Sequence, residues 1–406
     1  MSLTVTDAAL AGRVVLRQGR ERPFVGRHPW VFSGAIHRVE GEVRDGDEVE
    51  VVTSEGRFVA RGLYNSLSQI RVRLYSWEPG QPLDDAFFRR RLEAAVELRR
   101  ALGLVHGSRS ACRLVFSEGD GVSGLIVDRY GDWLSVQLTS LALARRREPL
   151  LDALQDLLAP RGVYLRTEKG IGEEEGLRAT DGLLRGEEPE ELITIDEDGI
   201  LYAVDPRTGQ KTGFFLDQRE NRRRVAAYAR GRRVADVFCY TGGFTIPLLR
   251  EGAAAVVAVD VSAPALELAR RNLEANGLDD GRTELVASDA FRWLEARVEA
   301  GDAFDMIVLD PPRFARSSRG VPQAIRGYAG LNELAVRCLA PGGILVTCSC
   351  TGRVSREAFV SVLAAVEERT GRRVRILESR GQAPDHPVSP TCPETAYLKC
   401  LVCLVE

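Results

Sequence analysis

Apolar runs that stop at acidic residues recur through the second half of this chain. Val234–Phe238 and Ala255–Val259 are typical of short buried strands, and a helix is predicted to begin between them, near Phe244. Two more strands are predicted to end at Asp289 and Asp310. Strands that alternate with helices predict an α/β domain with a mostly parallel sheet, in which ligands bind at the carboxyl ends of the strands.

Four carboxylates at predicted strand ends and one Gly-Gly turn converge on a nucleotide-type site. Asp236 precedes the turn Cys239–Gly243, and Asp260 follows at a spacing (260 − 236 = 24) close to the value of about 20 typical of acids that bind a ribose diol. Asp289 and Asp310 end the next two strands. A single acid of this kind can equally be an ordinary strand-end cap, whereas four in register with a glycine turn favour a binding site.

The turn excludes two familiar classes of nucleotide site. It matches neither the G-x-G-x-x-G fingerprint of dinucleotide-binding folds nor the G-x-x-x-x-G-K-[ST] loop that cradles phosphates, so the predicted cofactor carries no pyrophosphate. The D-x-F-x-x-x-G-G turn, the ribose acid, the Ser-Asp-Ala acid and the Asp-Pro-Pro closure together resemble the class I S-adenosylmethionine-dependent methyltransferases. That resemblance implies a Rossmann-like sheet of seven strands and S-adenosylmethionine (SAM) as cofactor. The contacts it implies are made by Asp236, Tyr240, Thr241, Gly242, Gly243, Asp260, Asp289, Asp310 and Pro311.

The segment Lys211–Asn221 is unusually polar and aromatic for a simple connector. It precedes a predicted helix, Gln218–Tyr228, that would pack beside the glycine turn. We expect Phe215 to lie over the adenine and Gln218 to bind the methionine end of the cofactor. A plain structural helix start, with Asp217 as the N-cap, explains the segment equally well.

The remaining patterns divide the chain into three predicted domains. Residues 1–80 carry short alternating strands separated by Gly, Asp and Ser, which predict a small β-barrel. Residues 81–190 mix an amphipathic helix, Asp84–Leu102, with strands and read as an α+β linking domain. Residues 191–406 hold the predicted methyltransferase domain.

The first domain has a candidate RNA-binding surface. Its segment Arg27–Gly34 resembles the signature of the PUA RNA-binding domain. We expect Trp30 and Phe32 to belong to the barrel core. The better candidates for RNA contact are the clustered arginines Arg13, Arg17, Arg20, Arg22 and Arg27.

Composition indicates a soluble protein of the reducing cytoplasm. The 406 residues are 44% hydrophobic and 28% charged, and no apolar run reaches the length of about 18 residues that a membrane span needs. No signal peptide pattern is visible at the N-terminus, and the eight Cys form no disulfide framework. The net charge of −3 does not itself indicate nucleic-acid binding, so the RNA hypothesis depends on the clustering of Arg.

A predicted strand, Ile344–Cys350, places two thiols on one face near the cofactor cleft. Carbon 5 of a pyrimidine is a weak nucleophile until a thiolate adds to carbon 6, so a Cys at a strand end is diagnostic of that chemistry. Cys348 and Cys350 can both be small apolar fillers. Because Cys350 lies farther along the strand, beside the Asp-Pro-Pro strand end, we favour it as the nucleophile.

Asp310 is the second candidate catalytic residue. It could bind a flipped base at ring nitrogen 3 or at the exocyclic amine, or relay a proton during thiolate attack. Pro311 and Pro312 would stiffen the exit from the strand. Arg313 suits a phosphate and Phe314 suits the face of a base.

Two other motifs are assigned no catalytic or metal role. Cys400 and Cys403 form C-x-x-C within a predicted strand, where that spacing points the thiols to opposite faces, and no second pair is present. We therefore expect no metal site. His386 lies in a predicted loop, where a role in the turn is the simpler interpretation.

Motifs spread over nearly the whole chain resemble the bacterial large-subunit ribosomal RNA cytosine-C5 methyltransferases with an N-terminal PUA domain. The motifs are RHPWVFSG, GQKTGFFLDQRENR, DVFCYTGGF, DPPRF, GGILVTCSC and DHPVSPTCPETAYLK. The resemblance implies formation of 5-methylcytidine in large-subunit rRNA with SAM. It also places the motif cysteine on Cys350, making Cys348 a bystander, and the motif carboxylate on Asp310.

Other functions stay open at this stage. A uridine methyltransferase would use a similar Asp-Pro-Pro-Arg and Cys, but its Cys is followed by Asn-Pro rather than by Thr351-Gly352. A guanine N-methyltransferase needs no thiol. A non-catalytic RNA-binding protein with a lapsed cofactor fold is disfavoured by the intact acids and glycines, and a dehydrogenase by the missing pyrophosphate glycines. A homodimer is one open possibility for the oligomeric state.

Overall fold

The computed structural model describes residues 10–167, 171–189, 192–205, 207, 213–315 and 317–406. Lys211 and Thr212, which open the polar segment singled out above, lie outside these described residues, as do Gly209 and Gln210 of the longer motif. The chain divides into two compact units. The first comprises Met1–Ile195, Val204–Phe214 and Pro384–Thr395; the second comprises Asp196–Ala203, Phe215–Ala383 and Ala396–Glu406.

Unit 1 begins with a six-stranded sheet in the order β2-β6-β5-β4-β1-β3. Four of its strands each place a valine in one buried core: Val14, Val31, Val49 and Val72. Side chains on the inner face of a sheet are expected to form such a core. The elements are β1 (Gly12–Leu16), α1 (Arg22–Val25), β2 (Trp30–Phe32), β3 (Ile36–Gly41), β4 (Glu48–Val52), β5 (Phe58–Tyr64) and β6 (Ile70–Ser76).

The expected core role of Phe32 is wrong. Val31 is the residue of β2 that faces the core, so its neighbours on either side point to the opposite face. Phe32 is 46% exposed. Trp30 is half-buried, and its indole N–H donates to Oε1 of Glu118 at 2.8 Å.

Unit 1 continues with a five-stranded sheet in the order β11-β10-β9-β8-β7. Asp84 caps the long helix before it by accepting a hydrogen bond from the Phe87 N–H. The elements are α2 (Asp85–Ala101), β7 (Ala111–Phe116), β8 (Leu125–Tyr130), β9 (Trp133–Leu138), α3 (Leu141–Ala144), α4 (Arg147–Leu158), β10 (Gly162–Leu165), α5 (Ile171–Glu175) and β11 (Gly182–Gly186). A hairpin of β12 (Ile193–Glu197) and β13 (Ile200–Val204) follows.

The two sheets of unit 1 share apolar contacts. Leu63 and Tyr75 of the first sheet belong to the same buried cluster as Phe87 and Phe88 of α2 and Leu125 of β8. The shared cluster explains why the two sheets form one compact unit. The predicted boundaries at residues 80/81 and 190/191 stay predictions.

Unit 2 is an α/β domain in which helices alternate with strands up to β19, and β20 then completes the sheet. Among the described residues, no helix of the chain combines the length and apolar composition needed to cross a bilayer. The elements are α6 (Arg219–Ala226), β14 (Arg233–Val237), α7 (Thr245–Arg250), β15 (Ala255–Asp260), α8 (Ala263–Ala275), β16 (Thr283–Ala287), α9 (Ala290–Ala300), β17 (Phe304–Leu309), α10 (Val321–Arg337), β18 (Leu339–Ser349), α11 (Arg356–Thr370), β19 (Val374–Arg380) and β20 (Lys399–Val405).

The predicted seven-stranded sheet is confirmed, in the order β16-β15-β14-β17-β18-β20-β19. The strands β14 to β18 pair in parallel, whereas β20 is antiparallel to both β18 and β19. The strand order reverses between β14 and β17, and their carboxyl ends therefore form the crevice in which open α/β sheets bind ligands.

Two element boundaries differ from the sequence predictions. The apolar pattern predicts a helix over Tyr328–Cys338, whereas α10 begins at Val321 and includes Gly327. A Cβ on Gly327 would lie 3.2 Å from the ring of Phe314, so this glycine permits a close approach rather than ending the helix. The strand β18 ends at Ser349, which leaves Cys350 as the first residue beyond it.

Candidate active site

The turn after β14 is held in a backbone conformation that few residues adopt. Phe238 and Tyr240 have φ of 68° and 50°, in the left-handed region that is uncommon for non-glycine residues. Gly242 follows at φ 82°. Phe238 and Cys239 both donate their backbone N–H to the carbonyl of Val259, at 2.9 and 3.0 Å. Such conformations persist where surrounding bonds impose them, and they cluster at ligand sites.

Asp260 ties this turn to the next helix. Its two carboxylate oxygens accept from the backbone N–H groups of Tyr240 and Ser262, each at 2.9 Å. The carboxylate is half-buried at the end of β15. Because each oxygen keeps a further lone pair, both can also accept from a ribose diol.

Asp236 is fully buried and is only partly satisfied by protein groups. The Thr245 hydroxyl donates to its Oδ2 at 2.6 Å, while its Oδ1 has no hydrogen-bond partner. Burial raises the pKa of the Asp236 carboxyl to about 7, and the charges of Asp310 and Asp260 contribute in the same direction. A buried acceptor without a donor is costly, so this oxygen fits a ligand that brings a cation or a donor.

Thr241 offers a second buried polar atom in the same turn. Its side chain is 2% exposed and its hydroxyl has no partner. Its carbonyl accepts from the Asn272 side-chain amide at 3.0 Å, which anchors the turn on α8. Together with Asp236, Thr241 gives a polar lining that suits the amino-acid end of SAM.

Asp289 acts as the N-cap of α9. Its Oδ1 accepts from the Arg292 N–H at 3.1 Å, and the residue is exposed. This is the ordinary capping role that the sequence could not separate from a ligand role. Its contact with the cofactor stays a prediction.

Gln218 is buried and orients Asp310. Its side-chain nitrogen donates to Oδ1 of Asp310 at 3.0 Å, and its oxygen accepts from the Asn221 side chain at 2.7 Å. Asn221 in turn donates to the Gly381 carbonyl at 3.0 Å. Gln218 therefore holds the Asp310 carboxylate in place, and its predicted contact with the methionine end stays a prediction.

The alternative N-cap role of Asp217 is wrong, because Gln218 occupies the cap position of α6 after a short 3-10 turn. Asp217 instead accepts from the Tyr397 hydroxyl at 2.5 Å. The Phe215 ring packs edge to face on the ring of Tyr240, with centroids 5.4 Å apart. This contact places both rings beside the glycine turn, while stacking of Phe215 on adenine stays a prediction.

Cys350 lies beside the Asp-Pro-Pro segment. Its Sγ is 3.9 Å from the carbonyl oxygen of Pro311, because β17 and β18 are parallel neighbours that end at the same edge of the sheet. Pro311 is buried, and Asp310 is half-buried before it. The two candidate catalytic residues thus meet at one strand edge, as the sequence pattern predicts.

Exposure separates the two candidate thiols. Among the eight cysteines, all of them within the described residues, Cys350 alone is not buried. Cys348 is fully buried opposite Cys400 on β20, and burial together with that neighbouring thiol raises its pKa well above the usual range. A thiol of this kind is a poor nucleophile, so Cys348 is a packing residue.

The residues after Asp-Pro-Pro differ in environment. Arg313 is exposed, and its contact with a phosphate stays a prediction. The Phe314 ring lies 4.6 Å from the ring of Tyr328, against the apolar core of unit 2. Because Tyr328 covers one of its faces, Phe314 has less surface for a base than the sequence suggests.

Several residues at this strand edge were not found by sequence reasoning. Asn221 and Lys399 act through hydrogen bonds to distant chain segments, which local patterns do not reveal. Val261 is 77% exposed directly after Asp260. An apolar residue after a strand-end acid was visible in the sequence and could have been assigned to an adenine pocket.

Unit 1 contains one group of possible metal ligands among its described residues: His28, Cys392 and Glu394. The Nε2 of His28 lies 3.3 Å from a Glu394 carboxylate oxygen, and its Nδ1 accepts from the Trp30 N–H at 3.2 Å. A neutral imidazole that accepts at Nδ1 carries its proton on Nε2, the atom a metal would need. Burial and nearby carboxylates raise the pKa of Cys392 to about 12. This arrangement is that of a hydrogen-bonded cluster.

His386 is more than a turn residue, since it is 2% exposed and lies within unit 1 against Asp385 and Phe116. Its Nδ1 is 2.8 Å from Oδ1 of Asp385, and its ring centroid is 5.2 Å from that of Phe116. Asp385 also accepts from the Arg113 N–H at 2.9 Å. The histidine therefore stabilises the packing of this segment.

Comparison with protein families identifies two regions of the chain. Residues 178–402 match the family described as S-adenosylmethionine-dependent methyltransferase. Residues 14–77 match the PUA-like domain family. The first match covers the glycine turn, the Asp-Pro-Pro segment and Cys350, and the second covers the six-stranded sheet.

Curated relatives match over nearly the whole chain. The ribosomal RNA large subunit methyltransferase I of Aeromonas hydrophila is 43% identical over 97% of this chain and 99% of its own length. The protein of the same name from Escherichia coli O139:H28 is 41% identical over the same shares.

Solved structures share the fold at lower sequence identity. A protein of Streptococcus mutans, provisionally described as a SAM-dependent methyltransferase, superposes with a TM-score of 0.84 at 21% identity, over 97% of this chain and 99% of that one. A second structure with the same score and identity, also provisionally described as a methyltransferase, is complexed with SAH. At this identity the likeness supports the fold alone.

Proposed function

Since this chain belongs to the ribosomal RNA large subunit methyltransferase I family of SAM-dependent enzymes, we propose that it methylates carbon 5 of a cytosine in large-subunit rRNA through a covalent adduct with Cys350. One observation carries the proposal. The one cysteine that is not buried has its Sγ 3.9 Å from the Pro311 carbonyl, beside Asp310 and at the strand edge that holds the glycine turn.

The thiolate of Cys350 starts the reaction by attacking carbon 6 of the cytosine. An Sγ–C6 bond forms, and the electron pair of the C5–C6 double bond becomes available at carbon 5. SAM, when bound, would supply an electrophilic methyl group. The electron pair at carbon 5 forms the new C5–CH3 bond as the methyl–sulfur bond breaks with its electrons left on that sulfur. A base then removes the proton from carbon 5, the double bond re-forms, and the Sγ–C6 bond breaks with its electrons returning to Cys350.

Asp310 has the position and support to bind the cytosine ring. Its carboxylate is held by Gln218 at 3.0 Å, so its orientation is set before the base arrives. A carboxylate fixed in this way accepts from the exocyclic amine of cytosine, or shares a proton with ring nitrogen 3 as charge builds in the ring. Pre-orientation of this kind reduces the ordering cost of binding.

The residues around the glycine turn suit the cofactor. The Oδ1 atom of Asp236 and the Thr241 hydroxyl are buried without partners, as expected of groups that bind the charged amino-acid end of SAM. Asp260 keeps lone pairs for a ribose diol. The further contacts proposed, from Phe215, Tyr240, Gly242, Gly243, Asp289 and Pro311, surround the same turn and the adjoining strand ends.

Exposed arginines support the assignment of RNA as substrate. All five are exposed and lie between β1 and β2 of unit 1 or on β1 itself: Arg13, Arg17, Arg20, Arg22 and Arg27. Guanidinium groups contact phosphates whatever the base sequence, and therefore position RNA rather than select the target. Selection of the cytosine is then left to the Cys350 and Asp310 site.

The test uses full-length protein, SAM with a labelled methyl group, and large-subunit rRNA from cells that lack the enzyme. Nucleoside mass spectrometry is expected to find the label in 5-methylcytidine. The Cys350→Ala variant should lose at least about a thousandfold in turnover, as is usual when a covalent nucleophile is removed. It should still bind SAM, because the thiol is not part of the cofactor contacts. Wild-type protein should form a denaturant-stable adduct with RNA that contains 5-fluorocytidine.

Cys348→Ala is the matched control, because it removes a thiol two residues away without touching the proposed nucleophile. It should keep near-normal turnover. Recovery of the label in 5-methyluridine would show that the target base is uridine and not cytosine. Full activity of Cys350→Ala, with label on a guanine nitrogen, would overturn the covalent mechanism. RNA binding without any methyl transfer would indicate a lapsed enzyme.

A further inference from the structure

Lys399 is a buried cation at the strand edge that holds Cys350. It is the first residue of β20 and is 4% exposed. Its Nζ donates to the carbonyl oxygens of Thr351 and Tyr397, at 2.7 and 2.8 Å. Within the described part of the chain, its hydrogen-bond partners are these two carbonyls and no carboxylate. Burying a charge without a counter-ion is costly, so its presence here requires an explanation.

The thiol of Cys350 supplies the missing negative charge when it ionises. Burial lowers the pKa of Lys399 to about 8; an ionised Cys350 raises it again, and the charge of Arg356 lowers it. Electrostatic coupling between two sites is reciprocal, so an ammonium that is favoured by the thiolate favours the thiolate by the same free energy.

We propose that Lys399 is a positioning residue for Cys350, whose ammonium group fixes the turn at Thr351 and stabilises the thiolate form of the nucleophile. The inference rests on the proposed function, in which Cys350 is the attacking group. It adds a residue 49 positions away (399 − 350 = 49) whose charge favours the thiolate form of the nucleophile.

An uncharged hydrogen bond also holds the turn at Thr351. It allows the effect of the Lys399 charge to be tested apart from the effect of loosening the turn. The hydroxyl of Thr351 is 2.8 Å from the hydroxyl of Tyr328, which is fully buried. Burial raises the pKa of Tyr328 to about 12, so it stays uncharged near neutral pH. The charges of Cys350 and Asp310 both act on Tyr328, and an ionised Asp310 near this turn opposes formation of the thiolate. The positive charge of Lys399 acts in the opposite direction to that of Asp310.

The test measures the ionisation of Cys350 directly, in full-length protein without RNA or SAM. The rate of alkylation by iodoacetamide is followed against pH, with Cys348 and Cys350 resolved by fragmentation of the peptide between Arg337 and Arg353. In Lys399→Met the midpoint for Cys350 should rise by about one pH unit, the lower end of the effect of a neighbouring opposite charge. Lys399→Arg, which keeps the charge, should stay close to wild type.

Tyr328→Phe is the matched control for loosening of the turn. It removes a hydrogen bond to Thr351 but no charge, so it should leave the alkylation midpoint in place even if it lowers stability or turnover. A folded Lys399→Met variant, as judged by SAH binding and circular dichroism, with an alkylation profile that superposes on wild type would overturn the proposal.

A reciprocal measurement keeps the proposal testable even if Lys399→Met does not fold. In Cys350→Ala the midpoint for acylation of Lys399 should fall, because the thiolate no longer favours the ammonium. The chain contains Lys at only three positions, 169, 211 and 399, so the modified peptide is easily followed. An unchanged midpoint would refute the coupling. Full methyl transfer by Cys350→Ala would instead refute the covalent mechanism. The electrostatic coupling of Lys399 and Cys350 would still be supported by a shifted midpoint for alkylation of Cys350 or for acylation of Lys399.

Discussion

The buried carboxylate of Asp236 gives the sharpest prediction about the cofactor. The perturbation is Asp236→Asn, which preserves the shape of the side chain. The Asn oxygen can still accept from the Thr245 hydroxyl, which donates to Oδ2 at 2.6 Å in the present chain. The amide nitrogen then replaces Oδ1, the buried oxygen that has no partner among protein groups. A donor would therefore face the ammonium of SAM where an acceptor now does.

The magnitude follows from the lost charge. A hydrogen bond to a charged group contributes about 1.5–3 kcal/mol, so the affinity for SAM or SAH should fall by about 10- to 150-fold. The wild-type affinity should also depend on pH. Because the pKa of Asp236 is raised to about 7, the neutral acid predominates below that pH and must lose its proton before it can bind an ammonium. Affinity should fall by up to about tenfold for each pH unit below 7.

The assay is isothermal titration calorimetry with SAH between about pH 5.5 and 7, where the ligand ammonium, with a pKa of about 7.7, stays charged. Wild type should lose roughly 15-fold over this range, and Asp236→Asn should bind weakly with little dependence on pH. Asp305→Asn is a matched control, because Asp305 lies at the opposite end of β17 and accepts from the Arg233 N–H. A variant that binds SAH as tightly as wild type at every pH would refute the assignment of Asp236 to the cofactor.

Two further predictions concern stability and the adenine pocket. Glu197→Gln should destabilise unit 2 by about 3–5 kcal/mol in urea unfolding, because it leaves the buried guanidinium of Arg222 without the carboxylate whose Oε1 accepts from Arg222 Nε at 2.7 Å. Glu220→Gln should cost under about 1 kcal/mol, because the Arg223 that pairs with Glu220 is exposed. Equal effects of the two substitutions would contradict this reasoning. Val261→Asp should weaken SAH binding by about tenfold, because Val261 follows Asp260, is 77% exposed and offers an apolar surface to the adenine ring. Val388→Asp, at an exposed valine of unit 1, is the control. Unchanged affinity would show that Val261 lies outside the adenine pocket.

Sequence reasoning could locate the candidate site because its residues lie at or near the ends of hydrophobic strands. The apolar run that contains Asp236 and the one that ends at Asp260 are long enough to be recognised as strands, and parallel strands bring their carboxyl ends to one edge. The order of the sheet then brings Asp310 and Cys350 together without any further information. This part of the site is a consequence of local pattern and general topology.

Side-chain environment was harder to predict, because it depends on register and on contacts from distant segments. Phe32 looked like a core residue, but the alternation along β2 gives that place to Val31. The apolar pattern predicts a helix start at Tyr328, but the helix begins at Val321 and includes Gly327, which lies against the ring of Phe314. The bonds from Gln218 to Asp310 and from Tyr397 to Asp217 join residues 92 and 180 positions apart. No local pattern encodes such pairs.

The antiparallel strand β20 explains how a cation can lie at the strand edge that holds Cys350, the proposed nucleophile. A parallel strand ends at the active edge of the sheet but begins at the far edge, so its first residues cannot approach the cofactor. An antiparallel strand begins where its parallel neighbour ends, and the register pairs Lys399 at the start of β20 with Ser349 at the end of β18. The same register pairs Cys348 with Cys400 inside the sheet. The reversed direction of β20 therefore buries Cys348 against Cys400 and places Lys399 beside the turn that follows Cys350. A buried thiol that only packs and a cation near the exposed thiol are what the proposed covalent mechanism needs.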